Sequence, residues 1–223
     1  MIFKKCCYRI YQYVLTSVMH IIKYGNKVIS KEGAVYNVPQ LLERQGIKGR
    51  VLIITGPHIA RTGLFRDIAR VFKEKGVNYI IFSGTSTETG IDSIEYARKL
   101  YMRYNCCAII AIGGGSVMDC AKAAAAGIAN PHKKITSLEG YQKSRKKTPL
   151  VVAVPATAGT GAETTACAVV RDVATGSKKI IADTNIIPKF AVLDPVMTRG
   201  LPSHMAAYSG MDALTHATES YLN

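Results

Sequence analysis

The sequence predicts an α/β fold: a Rossmann-like domain built on a parallel sheet, followed by the truncated start of an all-α domain. Three observations carry this. Short β-branched runs alternate with helical patterns from Val51 to Val154, which is the mark of βαβ units. Two of those runs lead directly into loops rich in glycine, after Ile112 and after Pro155. Beyond Leu201 the pattern turns helical and stays so.

Residues 1–31 form the first unit. They hold Lys4, Lys5, Arg9, Lys23, Lys27 and Lys31 and no acid, so they concentrate the basic excess of a chain whose net charge is +14. Phe3, Cys7, Ile10, Val14, Val18 and Ile21 recur at helical spacing, with Lys4, Arg9, Gln12 and His20 between them. One basic amphipathic helix is predicted. Packing or dimerisation is its simple reading, preferred to a peripheral membrane contact. Polar residues interrupt the apolar stretch and no small-residue cleavage site follows, unlike a signal peptide.

Residues 32–195 form the α/β unit. VLIIT is the first strand and leads to a helix through Arg70; NYIIF leads to a helix through Tyr104, and CAIIAI to a helix through Ala126; PLVVAV is the fourth strand. ACAVVRD and KKIIAD then read as two extended segments around Ala174 to Ser177, and FAVLDP as a short buried strand ending at Pro195. Residues 196–223 begin the helical unit. Pro202 and Ser203 give a start signal, and Met211 to Leu222 reads as a second helix. The chain stops inside that helix, and it is expected to be part of a longer protein.

Composition narrows the function classes. With 48% hydrophobic and 20% charged residues, collagen-like, low-complexity and disordered readings drop out. No run of about 18 apolar residues occurs, as a membrane-spanning helix would need. Cys6, Cys7, Cys106, Cys107, Cys120 and Cys167 show no C-x-x-C spacing; they read as free thiols, which suggests a reducing cytoplasm. His132, Lys133, Lys134, Lys143, Arg145, Lys146 and Lys147 crowd a loop around Gly140. No stacking aromatics accompany them, so they read as solvated surface and no nucleic-acid partner is expected.

The residues that carry chemistry lie at two loops and one helix. CAIIAI runs into Gly113, Gly114, Gly115 and Ser116 and then into a helix. Glycines let the backbone approach a bulky anion, and the free N–H groups of the helix start face it, which suits a pyrophosphate. Ser116 and Asp119 resemble a capping box. The next strand ends in PATAGTGAETT, so Thr157, Gly159, Thr160 and Gly161 form a second small-residue loop at the same sheet edge, where ligands of open α/β sheets bind. Asp212 and His216, four apart in GMDALTHATESY, share one helix face and could reach one divalent metal. Two ligands are fewer than a catalytic metal site needs.

Together these stretches resemble the iron-containing (group III) alcohol dehydrogenase family. The resemblance rests on GAVYNVPQLLERQGIKGRVLIIT, AIGGGSVMDCAKAAAAG, SLEGYQ, VPATAGTGAETT, AVLDP and LPSHMAAYSGMDALTHATESY, and covers residues 33–223. It implies hydride transfer between a primary or secondary alcohol, or its aldehyde, and NAD or NADP at a divalent metal, Fe2+ or Zn2+. It implies that Gly114, Gly115 and Ser116 hold the pyrophosphate, that Thr157 and Thr160 line the cofactor site, that Lys178 or Lys179 reaches the ribose, and that Asp212 and His216 are the first two metal ligands. No protein nucleophile is needed, and no catalytic residue is assigned. A homodimer is expected of the full-length protein.

Three departures from the family pattern stand out. Family members supply two more histidine ligands from later in the helical domain, a region that residues 1–223 do not include. Gly56 occupies the position where many members carry an acid that binds the ribose 2′-hydroxyl, so a 2′-phosphate is no longer repelled; His58, Arg61 or Arg66 could assist one. Thr87, Glu88 and Thr89 replace the usual Pro-Asn-Pro. A nucleotide-binding product without turnover and a glycerol dehydrogenase-like member remain the alternative readings.

Overall fold

A computed structural model describes residues 25–85, 88–172 and 175–222. Its centre is a six-stranded sheet in which every pairing is parallel. The strands are β1 (Lys27–Ser30), β2 (Val51–Thr55), β3 (Tyr79–Phe82), β4 (Ala108–Gly113), β6 (Leu150–Pro155) and β9 (Phe190–Leu193), in the order β1-β9-β6-β4-β2-β3. β2 and β4 are buried along their whole length. That burial explains their uninterrupted Val, Leu, Ile and Ala sequences: a central parallel strand meets helices on both faces.

Alternate side chains serve the two faces. Leu52, Ile54, Ile109 and Ala111 pack under α4 (Ile91–Arg103) and α5 (Gly115–Ala129), through Ile94, Ala97, Met118 and Ala121. Val51, Ile53, Ile110 and Ile112 pack under α1 (Val38–Arg44) and α3 (Gly63–Glu74), through Leu42, Phe65, Ile68 and Phe72. Each fully buried Ile or Leu contributes about 1.5–3 kcal/mol. α3 is started by Thr62, whose hydroxyl oxygen accepts the Phe65 N–H at 3.1 Å. The short α2 (Pro57–Ala60) fills the turn after β2, with Gly56 extended before it.

A small second sheet, in the order β5-β8-β7, lies beside α5 and contains β5 (Gly140–Tyr141), β7 (Cys167–Arg171) and β8 (Lys178–Ala182). β7 and β8 pair antiparallel, as the two extended segments predicted. After β9 the chain forms α6 (Pro195–Thr198) and then α7 (Ser203–Leu222), none of whose residues is buried.

Two expectations are corrected. Residues 27–30, placed in an N-terminal helix by the sequence pattern, form the edge strand β1, paired with β9. The rest of that helix prediction, through Phe3 and Ile21, falls outside the described residues. Just after β1, the Asp194 carboxylate accepts the N–H groups of Gly33 at 3.0 Å and Val35 at 2.9 Å, as well as that of Val196 at 3.0 Å. Second, the two helices expected after Leu201 are one. Gly210 sits inside it, and a glycine within a helix costs about 1 kcal/mol rather than breaking it.

Among the described residues, no helix is long and apolar enough to cross a membrane.

Candidate functional site

The chain path creates a crevice at one sheet edge. From β2 it passes outward to β3, then crosses back over β2 to β4 and continues on to β6. The reversal lies between β2 and β4, and ligands of open α/β sheets bind outside the carboxyl ends of the strands at such a switch point. Gly56 follows β2, Gly114 follows β4, and Ala156 and Thr157 follow β6, so all three loops rim this crevice.

The first loop is shaped by close approaches. A Cβ on Gly113 would stand 2.6 Å from Val117 Cγ2. Gly114 is the extended residue before α5, and its carbonyl accepts the N–H groups of Val117 at 3.0 Å and Met118 at 3.2 Å. The first N–H groups of a helix have no partner within it and carry its positive end. No acid lies in the first turn of α5 to neutralise that end.

The capping box does not form. Gly114, not Ser116, is the cap residue, and no side-chain cap bond is made there. Ser116 instead lies within the first turn, where its carbonyl accepts the Thr89 hydroxyl at 2.8 Å. Asp119 turns away from the helix start and accepts the Val169 N–H at 3.1 Å. Thr89 is buried and its own carbonyl accepts the Arg171 N–H at 2.7 Å, while Glu88 and Arg171 form an ion pair. The segment that departs from the family's Pro-Asn-Pro is thereby tied to α5 and to β7.

The second loop closes on the first. A Cβ on Gly114 would lie 3.4 Å from Thr157 Cγ2, and one on Gly115 would lie 3.1 Å from Thr160 Cγ2. The two threonines therefore stand directly against the glycine backbone. Gly161 adopts φ 61°, a left-handed conformation that glycine takes without strain. The Thr157 hydroxyl oxygen is buried and has no hydrogen-bond partner among the described residues.

The remaining predicted residues fall at different distances from this centre. At Gly56 a Cβ would meet the Thr85 carbonyl at 3.9 Å and Val117 Cγ2 at 4.0 Å, both ordinary contacts. Lys178 is exposed on β8. Lys179 pairs with Glu139 at 2.7 Å, and that hydrogen bond holds its pKa above the ordinary lysine value. Asp212 and His216 lie one turn apart on α7, with Oδ1 and Nε2 3.8 Å apart and both side chains about half exposed. No group of three or more metal-ligating side chains occurs among the described residues.

A family model described as iron-containing alcohol dehydrogenase matches residues 25–195. The chain belongs to the iron-containing alcohol dehydrogenase family. It is 33% identical over 189 residues to a probable alcohol dehydrogenase, EutG, of Escherichia coli strain K12, covering 85% of this chain and 47% of that protein. It is 35% identical over 190 residues to an NAD-dependent methanol dehydrogenase of Bacillus methanolicus, covering 85% of this chain and 49% of that one. The solved structure of an alcohol dehydrogenase from Oenococcus oeni superposes with a TM-score of 0.82 at 27% identity, over 87% of this chain and 51% of that one. The chain thus spans about half the length of the family members it matches.

Sequence reasoning passed over one residue beside this site. Lys122 is fully buried on α5 and donates to the Ala162 carbonyl and the Thr165 hydroxyl, both at 2.9 Å. The signal was present: a single cation stands inside an otherwise apolar alanine helix, three residues after Asp119.

Proposed function

We propose that this chain carries the dinucleotide-binding part of a metal-dependent alcohol dehydrogenase, which exchanges hydride between an alcohol or its aldehyde and NAD or NADP. The observation that supports it most is the pair of facing loops at the switch point: the Gly114–Gly115 backbone stands against the Thr157 and Thr160 side chains, and a Cβ on Gly115 would come within 3.1 Å of Thr160 Cγ2. A doubly charged pyrophosphate suits the mouth of these two loops, with bare N–H groups on one side and hydroxyls on the other. The buried Thr157 hydroxyl, which lacks a partner among the described residues, supplies a donor for a phosphate oxygen.

In this reading Gly114, Gly115 and Ser116 present the start of α5 to the pyrophosphate, and Thr157 and Thr160 bound its other side. Lys178 is the more available of the two lysines for the ribose, because Lys179 is engaged by Glu139. Gly56 leaves room and no negative charge at the 2′ position of the adenosine ribose, so NADP is accepted as well as NAD. Bound nicotinamide would supply the hydride acceptor or donor. Residues 27–195, which include the edge strand β1, form the cofactor domain and residues 196–223 the first part of the helical one.

Asp212 and His216 are the proposed iron or zinc ligands, but two donors fall short of the three or four a catalytic site uses. They do not make a metal site by themselves. Titrating the purified 223-residue chain with NADH and NADPH tests the proposal. Saturable binding of either is expected, with no retention of Fe2+ or Zn2+ through gel filtration. Absence of binding to both dinucleotides would sink the cradle.

A further inference from the structure

Lys122 has no exposed surface, yet its ammonium is not isolated. Besides Ala162 and Thr165, it donates to the Cys167 carbonyl, and Asp119 Oδ1 lies 3.1 Å away. A buried lysine is stable only when paired and hydrogen-bonded. Burial pulls its pKa below the ordinary lysine value, and the Asp119 carboxylate opposes that shift. Around it on α5, Ala121, Ala123, Ala124 and Ala125 are buried against the sheet and its neighbours. Packing alone at this position would be met by another apolar residue.

What distinguishes Lys122 is where its hydrogen bonds go. All three loop acceptors belong to the segment leaving the second glycine loop, at residues 162, 165 and 167. The entry of the same loop is tied to the first one, because the Ala156 N–H donates to the Gly113 carbonyl at 2.8 Å. Between these anchors the loop holds itself by short local contacts: the Thr160 hydroxyl accepts the Ala162 N–H at 3.3 Å and the Gly161 carbonyl accepts the Thr164 N–H at 2.9 Å. Asp119 extends the clamp by accepting from Val169, in the middle of β7.

On the reading of the two loops as a dinucleotide cradle, we propose that Lys122 is a positioning residue for the cofactor: its buried ammonium staples the exit of the second loop to α5 and so sets the gap between Gly115 and Thr160. It touches no cofactor atom in this role. Loss of the staple frees one end of the loop, and Thr160 no longer keeps its place opposite the glycine backbone.

The test compares the full chain with its Lys122→Met and Lys122→Arg variants by NADH titration and by hydrogen exchange. Failure of the unsubstituted chain to bind dinucleotide would fault the cradle itself; the staple is judged only against a binding parent. Lys122→Met is expected to weaken NADH binding by about tenfold or more, as loss of a charged hydrogen-bond centre should, with faster exchange confined to residues 157–168. Lys122→Arg, which keeps charge and donors, is expected to recover most of that affinity. Should Lys122→Met not fold, Thr165→Val removes one acceptor and is expected to weaken binding by about threefold at an unchanged melting temperature. Affinity unchanged in the folded variant, or exchange raised equally across β4 and α5 without rescue by arginine, would overturn the assignment.

Discussion

Gly159 lies against the backbone of Ser209, so that a Cβ on the glycine would stand 1.9 Å from the serine carbonyl oxygen. This approach seats α7 on the second glycine-rich loop, about one turn before Asp212. Because no residue of α7 is buried, little else fixes its place. Gly159→Ala is expected to displace the helix, seen as faster hydrogen exchange from Met205 to Leu214 with the sheet amides unchanged. Parent-like protection of α7 in that variant would refute the seating.

Gly115→Ala separates stability from binding. The new methyl would lie 3.1 Å from Thr160 Cγ2 and force it aside, while alanine at the helix start costs the fold nothing. NADH affinity should fall by about tenfold or more at a melting temperature within roughly 2 °C of the parent. Equal affinity would mean that the pyrophosphate does not lie at the mouth of these two loops.

Gly56→Asp tests cofactor choice. A Cβ at this position makes only ordinary contacts, at 3.9 and 4.0 Å. A carboxylate there repels a 2′-phosphate and accepts a hydrogen bond from a 2′-hydroxyl. The ratio of NADPH to NADH dissociation constants should rise by about tenfold or more; a ratio that does not move places the 2′ position elsewhere.

Cys120 makes the fold sensitive to alkali. Burial raises its thiol pKa from 9.0 to about 12. Below pH 9 folded and unfolded chains both keep the proton. Between the two values only the unfolded chain releases it, so stability falls by about 1.4 kcal/mol per pH unit as the pH rises. Urea unfolding of Cys120→Ala should show a shallower loss between pH 9 and 11 than the parent, with Tyr101 and Lys122 common to both proteins. Parallel pH profiles would contradict a buried, protonated thiol.

Much of the sheet was legible because a central parallel strand must be apolar on both faces, and VLIIT, CAIIAI and PLVVAV declare that without any partner in view. The glycine loops were legible for a similar reason: backbone that must admit an anion is written in glycine. β1 was not legible. Its four residues, KVIS, are mostly exposed, and only pairing with β9, about 160 residues later, makes them a strand. The capping box failed because a helix start is set by backbone geometry, and the extended Gly114 took the cap position that Ser116 suggested.

The sequence by itself determined the alternation of strands and helices, the two loops and the Asp212–His216 spacing, since each depends on neighbours within a few residues. Only the tertiary structure decided that Thr160 stands against Gly115, that Ser209 rests on Gly159 and that Lys122 grips residues 162 to 167. Those contacts join segments about 40 to 50 residues apart. Their distances follow from how α5, β7 and α7 pack on the finished sheet, which no local pattern encodes.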